Sequence, residues 1–233
     1  AAPLHVAVDA TSGTDGNRLN LVARPATGAG GEQPLALRQA ELQGRWQGDQ
    51  WTLDRMHVAL RQAQLSAQGE WNTTRQQGSG QGSFSAPGAS AQWRADLAPE
   101  TGQAQLDLQI PQAERLLPWL QRVVDATSPP GTWPGGWSAR DAGSLQIDWQ
   151  GGWQTARRWW PTGTTAPELR RLAGQPALPL SLRLSLPTIG ITRDGQNTRL
   201  SGWNAALTGS GGRWQLSHQG QIAHLGHSAQ LDH

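Results

Sequence analysis

Apolar residues at every second position are the feature that most restricts what this chain can fold into. Successive side chains of an extended strand point to opposite sides, so a period of two places one chemical type on one face. Leu4, Val6 and Val8 alternate with polar or small neighbours, and Leu19, Leu21 and Ala23 repeat the pattern. Leu35 and Leu37 open a longer run through Ala40, Leu42, Gly44 and Trp46. Gln47-Gly48-Asp49-Gln50 then reads as a hairpin turn before Trp51 and Leu53 resume the run. Parity slips between Arg55 and Met56, as a β-bulge would produce, so Met56, Val58 and Leu60 follow in the other register. Ala63, Leu65, Ala67, Gly69 and Trp71 come next, followed by Gly78 to Ala86, Ala91 to Leu97, and then Ala104, Leu106, Leu108 and Ile110. The pattern returns at Leu145, Ile147 and Trp149, and most strongly at Leu178, Leu180, Leu182, Leu184 and Leu186. Ile189 and Ile191 follow a parity change at Pro187, and further runs span Leu200 to Leu207 and Arg213 to Ile222, with Leu216 inside the latter. Leu225, His227, Ala229 and Leu231 still alternate where the sequence stops, which suggests a segment of something longer.

Two regions break the period. Between Pro111 and Ala126 the apolar positions are Ala113, Leu116, Leu117, Leu120, Val123 and Val124, a helical stripe. Pro111 suits a first turn, and Pro118 is expected to kink or restart the helix. Thr127 to Gly136 reads as loop, and the stretch near 153–177 has no clear period, with a short helix expected at Ala166–Leu172. The predicted fold is therefore mainly β: a curved antiparallel meander sheet, β-taco-like with an open hydrophobic groove, plus one helix near 111–126. Its expected sections are 1–110 (first β-meander), 111–142 (helix and loop insert) and 143–233 (second β-meander), within one continuous elongated domain. Gly-Arg-Trp-Gln at 44–47 and again at 212–215 is a weak internal echo. Gly lets a strand bend, and a nearby Trp can cover the backbone left bare.

Composition narrows the chemistry. All 19 basic residues are Arg, and Cys is absent. Without Lys there is no Walker phosphate loop, Schiff-base lysine or kinase lysine, and without Cys no thiol catalysis, disulfide or zinc-thiolate site. A pI near 10.7 resembles that of a nucleic-acid protein, but the formal charge is only +2. With no Lys, Tyr or Cys to titrate, that small excess drives the pI upward. Arg is interspersed with Asp and Glu, so the basic stripe that captures a phosphate backbone is missing, and no nucleic-acid partner is expected.

Catalytic and metal residues are not nominated, and no cofactor is expected. His57 follows Arg55 and Met56 on a strand with no carboxylate placed to orient it. His218, His224, His227 and His233 gather near the end, and three could approach a metal across a hairpin, but outward polar positions on a late strand explain them better. Alternation places Asp107 and Asp148 on the wet face rather than in a cleft. Asn72-Thr73-Thr74 is a formal glycosylation acceptor. Arg157-Arg158-Trp159-Trp160 has the pairing of a membrane interface, indole at headgroup level and guanidinium on phosphate. The preferred reading is a lid: the indoles fold back over an open end of the sheet.

What remains is the sheet. About a dozen strands spaced ~4.8 Å apart would extend roughly 55–60 Å. Phe and Met occur once each and Tyr not at all, so bulky residues to fill a centre are scarce, and a trough left partly vacant is the expected result. Candidate lining residues are Val6, Val8, Leu19, Leu21, Leu42, Leu53, Leu65, Leu106, Leu108, Ile110, Ile147, Leu182, Leu184, Leu207 and Leu216. An acyl chain of sixteen carbons in such a trough would gain on the order of 12 kcal/mol over water.

The run Leu42-Gln43-Gly44-Arg45-Trp46-Gln47-Gly48-Asp49-Gln50-Trp51-Thr52-Leu53, continuing through Ala63-Gln64-Leu65-Ser66-Ala67-Gln68-Gly69-Glu70-Trp71, resembles the repeat idiom of the TamB family. So do Gly102 to Leu108, Ala113 to Leu120 and Asp148 to Trp153. These proteins are inner-membrane-anchored subunits of the translocation and assembly module, within the AsmA-like group. The likeness is best over 35–160. It implies a periplasmic β-taco whose groove shields phospholipid acyl chains between the inner and outer membranes, supporting outer-membrane protein and autotransporter assembly. It implies the outer-membrane barrel TamA as a partner through other parts of the chain, and an inner-membrane tether outside this segment. It offers no catalytic residues. The alternatives are a surface or secreted β-solenoid, such as an adhesin module, and less favoured, a polysaccharide-active enzyme.

Overall fold

The structure is a computed structural model that describes residues 3–14, 16–26, 35–127, 136–159, 180–193, 196–210, 213–224 and 227–232. Period-two alternation does what it must: the described chain is mainly β, a single curved antiparallel sheet of fifteen strands that does not close into a barrel. The first eight strands run in chain order: β1 (Leu4–Gly13), β2 (Gly16–Pro25), β3 (Leu37–Gln47), β4 (Gln50–Leu60), β5 (Gln64–Asn72), β6 (Gln77–Ala86), β7 (Ala89–Leu97) and β8 (Gly102–Ile110). Beyond helix α1 (Ala113–Thr127) lie β9 (Trp137–Arg140), β10 (Gly143–Gln150), helix α2 (Trp153–Trp159), β11 (Leu180–Ser185), β12 (Thr188–Arg193), β13 (Gln196–Ser210), β14 (Arg213–His224) and β15 (His227–Asp232).

The order along the sheet, β8-β10-β11-β13 with β12 and β9 to one side, looks branched. It follows from two interrupted strands. β9 and β10 are halves of one strand broken at Asp141-Ala142, where Asp141 takes φ 69°. β11 and β12 are halves broken at Leu186-Pro187, since Pro has no N–H to give a ladder. β13 runs unbroken past both halves, bonding β11 with one end and β12 with the other, and the Leu186 N–H donates to Trp203 O at 2.9 Å across the gap. β8 pairs directly with β10 from Gly143↔Ile110 to Gln150↔Gln103, so the sheet is continuous across the helical insert.

The bulge expected at Arg55/Met56 is present: the register of β4 against β3 and β5 shifts between Leu53 and Met56, leaving Leu53 and Met56 on the same face. The Gln47–Gln50 turn also forms, with Gly48 at φ 54°. Trp covers Gly along the sequence, where the Trp149 indole lies 3.4 Å from a Cβ placed at Gly151, and also across strands. Trp93 lies opposite Gly82, and a Cβ at Gly82 would stand 2.5 Å from the Trp93 indole nitrogen.

α1 does not restart at Pro118 but continues through it. Its two most buried residues, Ala113 and Trp119, flank the proline and hold the helix on both sides of the lost hydrogen bond. Trp119 tilts against Phe84 with ring centroids 6.4 Å apart. The N-terminus of α1 meets the β6–β7 turn, where the Gln112 N–H donates to Gly88 O at 3.4 Å. Further along, Arg122 Nη2 donates to Gln62 Oε1 in the β4–β5 turn at 3.4 Å. α1 thus crosses beneath the hairpin ends, and the buried hydrophobic residues Ala63, Ala89, Ala113 and Trp119 collect there. Apart from Ala23, no other hydrophobic residue among those described is buried, and no large side chain is fully enclosed.

The second helix was not expected where it occurs. Trp153–Trp159 forms α2 because two hairpin turns hold its start: Trp153 N–H donates to Ala98 O at 3.0 Å, Gln154 N–H to Pro99 O at 3.1 Å and the Trp153 indole to Gln76 O at 3.0 Å. The helix expected at Ala166–Leu172 and the rest of the irregular stretch from 160 lie outside the described residues.

Candidate functional site

Register converts alternation into rows that cross the sheet. One row reads Val8, Leu21, Leu42, Met56, Ala67, Gly82, Trp93, Leu106, Ile147, Leu182, Leu207 and Leu216, each directly opposite the next. Beside it runs Val6, Ala23, Ala40, Val58, Leu65, Phe84, Ala91, Leu108, Leu145, Leu184, Ala205 and His218. A third contains Leu19 and Leu53 on either side of Gly44. Ile110, two positions beyond Leu108, faces Gly143. All fifteen candidate lining residues therefore share one face. At ~4.8 Å per strand the first row spans about 50 Å. Its interior members are half-buried, while its ends, Val8 at 60% and Leu216 at 61%, are exposed.

The lining also includes Trp residues of the same alternating runs that are not among the candidate lining positions. Trp46 and Trp51 are register partners and stack with centroids 5.3 Å apart and planes within 13°. Trp71 continues that row on β5. With Leu19, Leu42, Leu53 and Trp93 they surround an apolar hollow of about 360 Å³. The signal was in the sequence as Trp at strand ends, but which indoles meet depends on register.

The opposite face is polar and holds larger hollows. One of about 870 Å³ lies over β4 to β8, lined by residues including Arg55, His57, Ser66, Gln81, Arg94 and Asp107. A second of about 860 Å³ shares Asp107 and extends over β10 to β14. A twisted sheet is concave along one diagonal on each face, so both sides carry hollows. Polar contacts knit this face together: Ser66 and Ser83 hydroxyls lie 2.8 Å apart, Gln146 Nε2 donates to Asp148 Oδ2 at 2.9 Å, and Arg45 pairs with Asp54 at 3.3 Å. Asp107 and Asp148 occupy the wet face, as alternation predicts.

His57 requires a correction. Register sets Glu41 directly opposite it on β3 and Ser66 opposite it on β5. A carboxylate, an imidazole and a hydroxyl are thus cross-strand neighbours. Glu41 Oε1 instead accepts from Gln39 Nε2, and Ser66 is bonded to Ser83.

The remaining motifs are placed as follows. His224 and His227 face each other across the last hairpin, but His218 is six positions back along β14, about 20 Å away. His233 lies outside the described residues, and among those described no three metal-ligating side chains converge. Asn72 sits at the β5–β6 turn, where its Oδ1 accepts from Arg75 N–H at 2.7 Å. Arg157, Arg158 and Trp159 belong to α2 rather than to a loop; Trp160 lies outside the described residues. No described helix is long and apolar enough to cross a membrane. Comparison of the chain with family models, curated proteins and solved structures yields no match.

Proposed function

We propose that this chain is a segment of a lipid-conducting β-sheet bridge whose apolar face shelters phospholipid acyl chains. The observation that carries this reading is the uninterrupted row from Val8 to Leu216 on an open sheet, half-buried at every interior strand. Hydrocarbon left half in water costs free energy in proportion to its exposed area, about 25 cal/mol per Å². A row that long, with α1 crossing only the hairpin ends beside it, is an apolar surface able to take a mobile chain without any directional contact. The stacked Trp46 and Trp51 and the neighbouring Trp71 supply a wall at one side of the hollow.

On this reading the chain works in the periplasm of a TamB-like assembly tethered to the inner membrane, passing lipid towards the outer membrane in support of outer-membrane protein assembly. TamA would be engaged by other parts of that assembly. Antiparallel pairing between all the described neighbouring strands supports a gutter over a stacked parallel coil.

Leu108→Asp or Leu184→Asp tests the reading. Each puts a carboxylate into a half-buried apolar row while leaving the ladders intact. The expected outcome is an unchanged far-ultraviolet circular dichroism spectrum with phospholipid recovered on the purified chain reduced about tenfold or more, given the cost of a charge against hydrocarbon. A folded variant that retains its full lipid load would refute the proposal.

A further inference from the structure

The face opposite the apolar rows has an order of its own. At the β4 bulge two residues, Asp54 and Arg55, fill the span that Gln68 alone fills on β5. A bulge bends its strand and re-aims a side chain, and this one sets Arg55 on the polar side together with His57. Register then carries both across the sheet. One row runs from Arg55 past Gln68 and Gln81 to Arg94 and Gln105. The next runs from His57 through Ser66, Ser83 and Gln92 to Asp107. Both rows line the hollow of about 870 Å³ over β4 to β8. Asp54, the carboxylate beside Arg55 in sequence, is taken by Arg45 at 3.3 Å. Among the described residues, Arg55, His57 and Arg94 have no hydrogen-bond or ionic partner, and the amides of Gln68, Gln81 and Gln105 are likewise unspent.

We infer that this hollow binds an acidic oligosaccharide, a chain of hydroxyl-bearing rings that carry carboxylate or sulfate groups. Guanidinium forks recognise such anions through paired, charge-assisted hydrogen bonds. Arg55 and Arg94 stand three strand spacings apart along their row, ~14 Å between backbones. Between them the amides of Gln68 and Gln81 both donate and accept, which suits sugar hydroxyls that do the same. Ser66 and Ser83 add hydroxyls 2.8 Å apart, and Asp107 supplies an acceptor for ring hydroxyls. The second polar hollow shares Asp107 and reaches Arg183, so the trough continues to β14, as a linear oligomer requires. Charge density favours a sugar over a nucleic acid. Free guanidinium groups spaced among neutral amides match widely spaced anions, whereas a phosphate backbone demands a basic stripe. The two rows also hold no Trp or Phe on which bases could stack. This inference stands on the polar face alone and does not depend on what the apolar face carries.

Calorimetric titration of the 233-residue chain tests it, with tetragalacturonate, a κ-carrageenan tetrasaccharide, maltotetraose, tetraglutamate and oligothymidine as probes. At least one of the two acidic sugars is expected to bind about tenfold or more tighter than the other three probes. Which of them does so separates a carboxylate ligand from a sulfate one. Arg55→Gln and Arg94→Gln are each expected to weaken that binding about tenfold, the usual loss for a hydrogen bond to a charged group. Both side chains are exposed, so the circular dichroism spectrum is expected to stay unchanged. Three results would each overturn the inference: no binding of either acidic sugar, binding of maltotetraose, tetraglutamate or oligothymidine as tight as theirs, or indifference to either arginine variant.

Discussion

The end of the sheet crossed by α1 and the open rows beyond it are built from the same alternating sequence, yet they behave as different materials. Beneath the hairpin turns, Ala63, Ala89, Ala113 and Trp119 lie between 2% and 7% exposed. Along the row from Leu21 to Leu207 every residue is only half-buried, and Leu216 is 61% exposed. Cover by a helix converts an apolar sheet face into a core; without it, the same face remains a surface. Fold stability should therefore concentrate at the α1 end, while the open rows are free to bind. A globular domain would need every apolar row covered. Here one helix is enough because fifteen strands in a single sheet share a continuous hydrogen-bonded ladder.

The comparison breaks most readily at Trp119. Trp119→Ala should cost about 3–5 kcal/mol in denaturant unfolding, the usual loss for a buried aromatic. Its indole nitrogen is buried without a hydrogen-bond partner. Trp119→Phe should therefore cost far less, about 1 kcal/mol or below, because it removes an unsatisfied donor along with some area. Equal losses in the two variants would show that this end is not packed as described.

A comparable effect is expected at Gly82, in the open region. A side chain there would meet the Ser66 carbonyl oxygen as well as the Trp93 indole, so Gly82→Val should cost about 3 kcal/mol or more by overpacking despite the β-propensity of Val. Trp93→Ala in the same background should recover part of that loss, a coupling readable in a double-mutant cycle. Additive losses would mean that Trp93 does not lie over Gly82.

These contacts also mark the limit of what the chain shows before it is folded. Alternation names the face of each residue, and so the fifteen lining positions and the bulge beside Met56 can be read directly. It does not name the neighbour across the ladder. That Trp93 covers Gly82, that Trp46 stacks on Trp51, and that Glu41 stands beside His57 all depend on register, which turn lengths and bulges set together. The break at Leu186-Pro187 appears in sequence as a parity change, but its match to a break at Asp141-Ala142 in the neighbouring strand is visible only in three dimensions. α2 was missed because its start is held by carbonyls of distant turns, Ala98, Pro99 and Gln76, rather than by its own periodicity. At Pro118 local propensity favoured a restart, and burial on both sides outweighed it.

The most direct measurement compares adjacent residues on opposite faces of one strand. A photo-reactive side chain at Leu184 lies in the apolar row, and one at Arg183 points into the polar hollow on the other side. After irradiation of the chain with phospholipid vesicles, lipid adducts are predicted at 184 and not at 183. Adducts at neither position, or at 183 in preference to 184, would contradict the account.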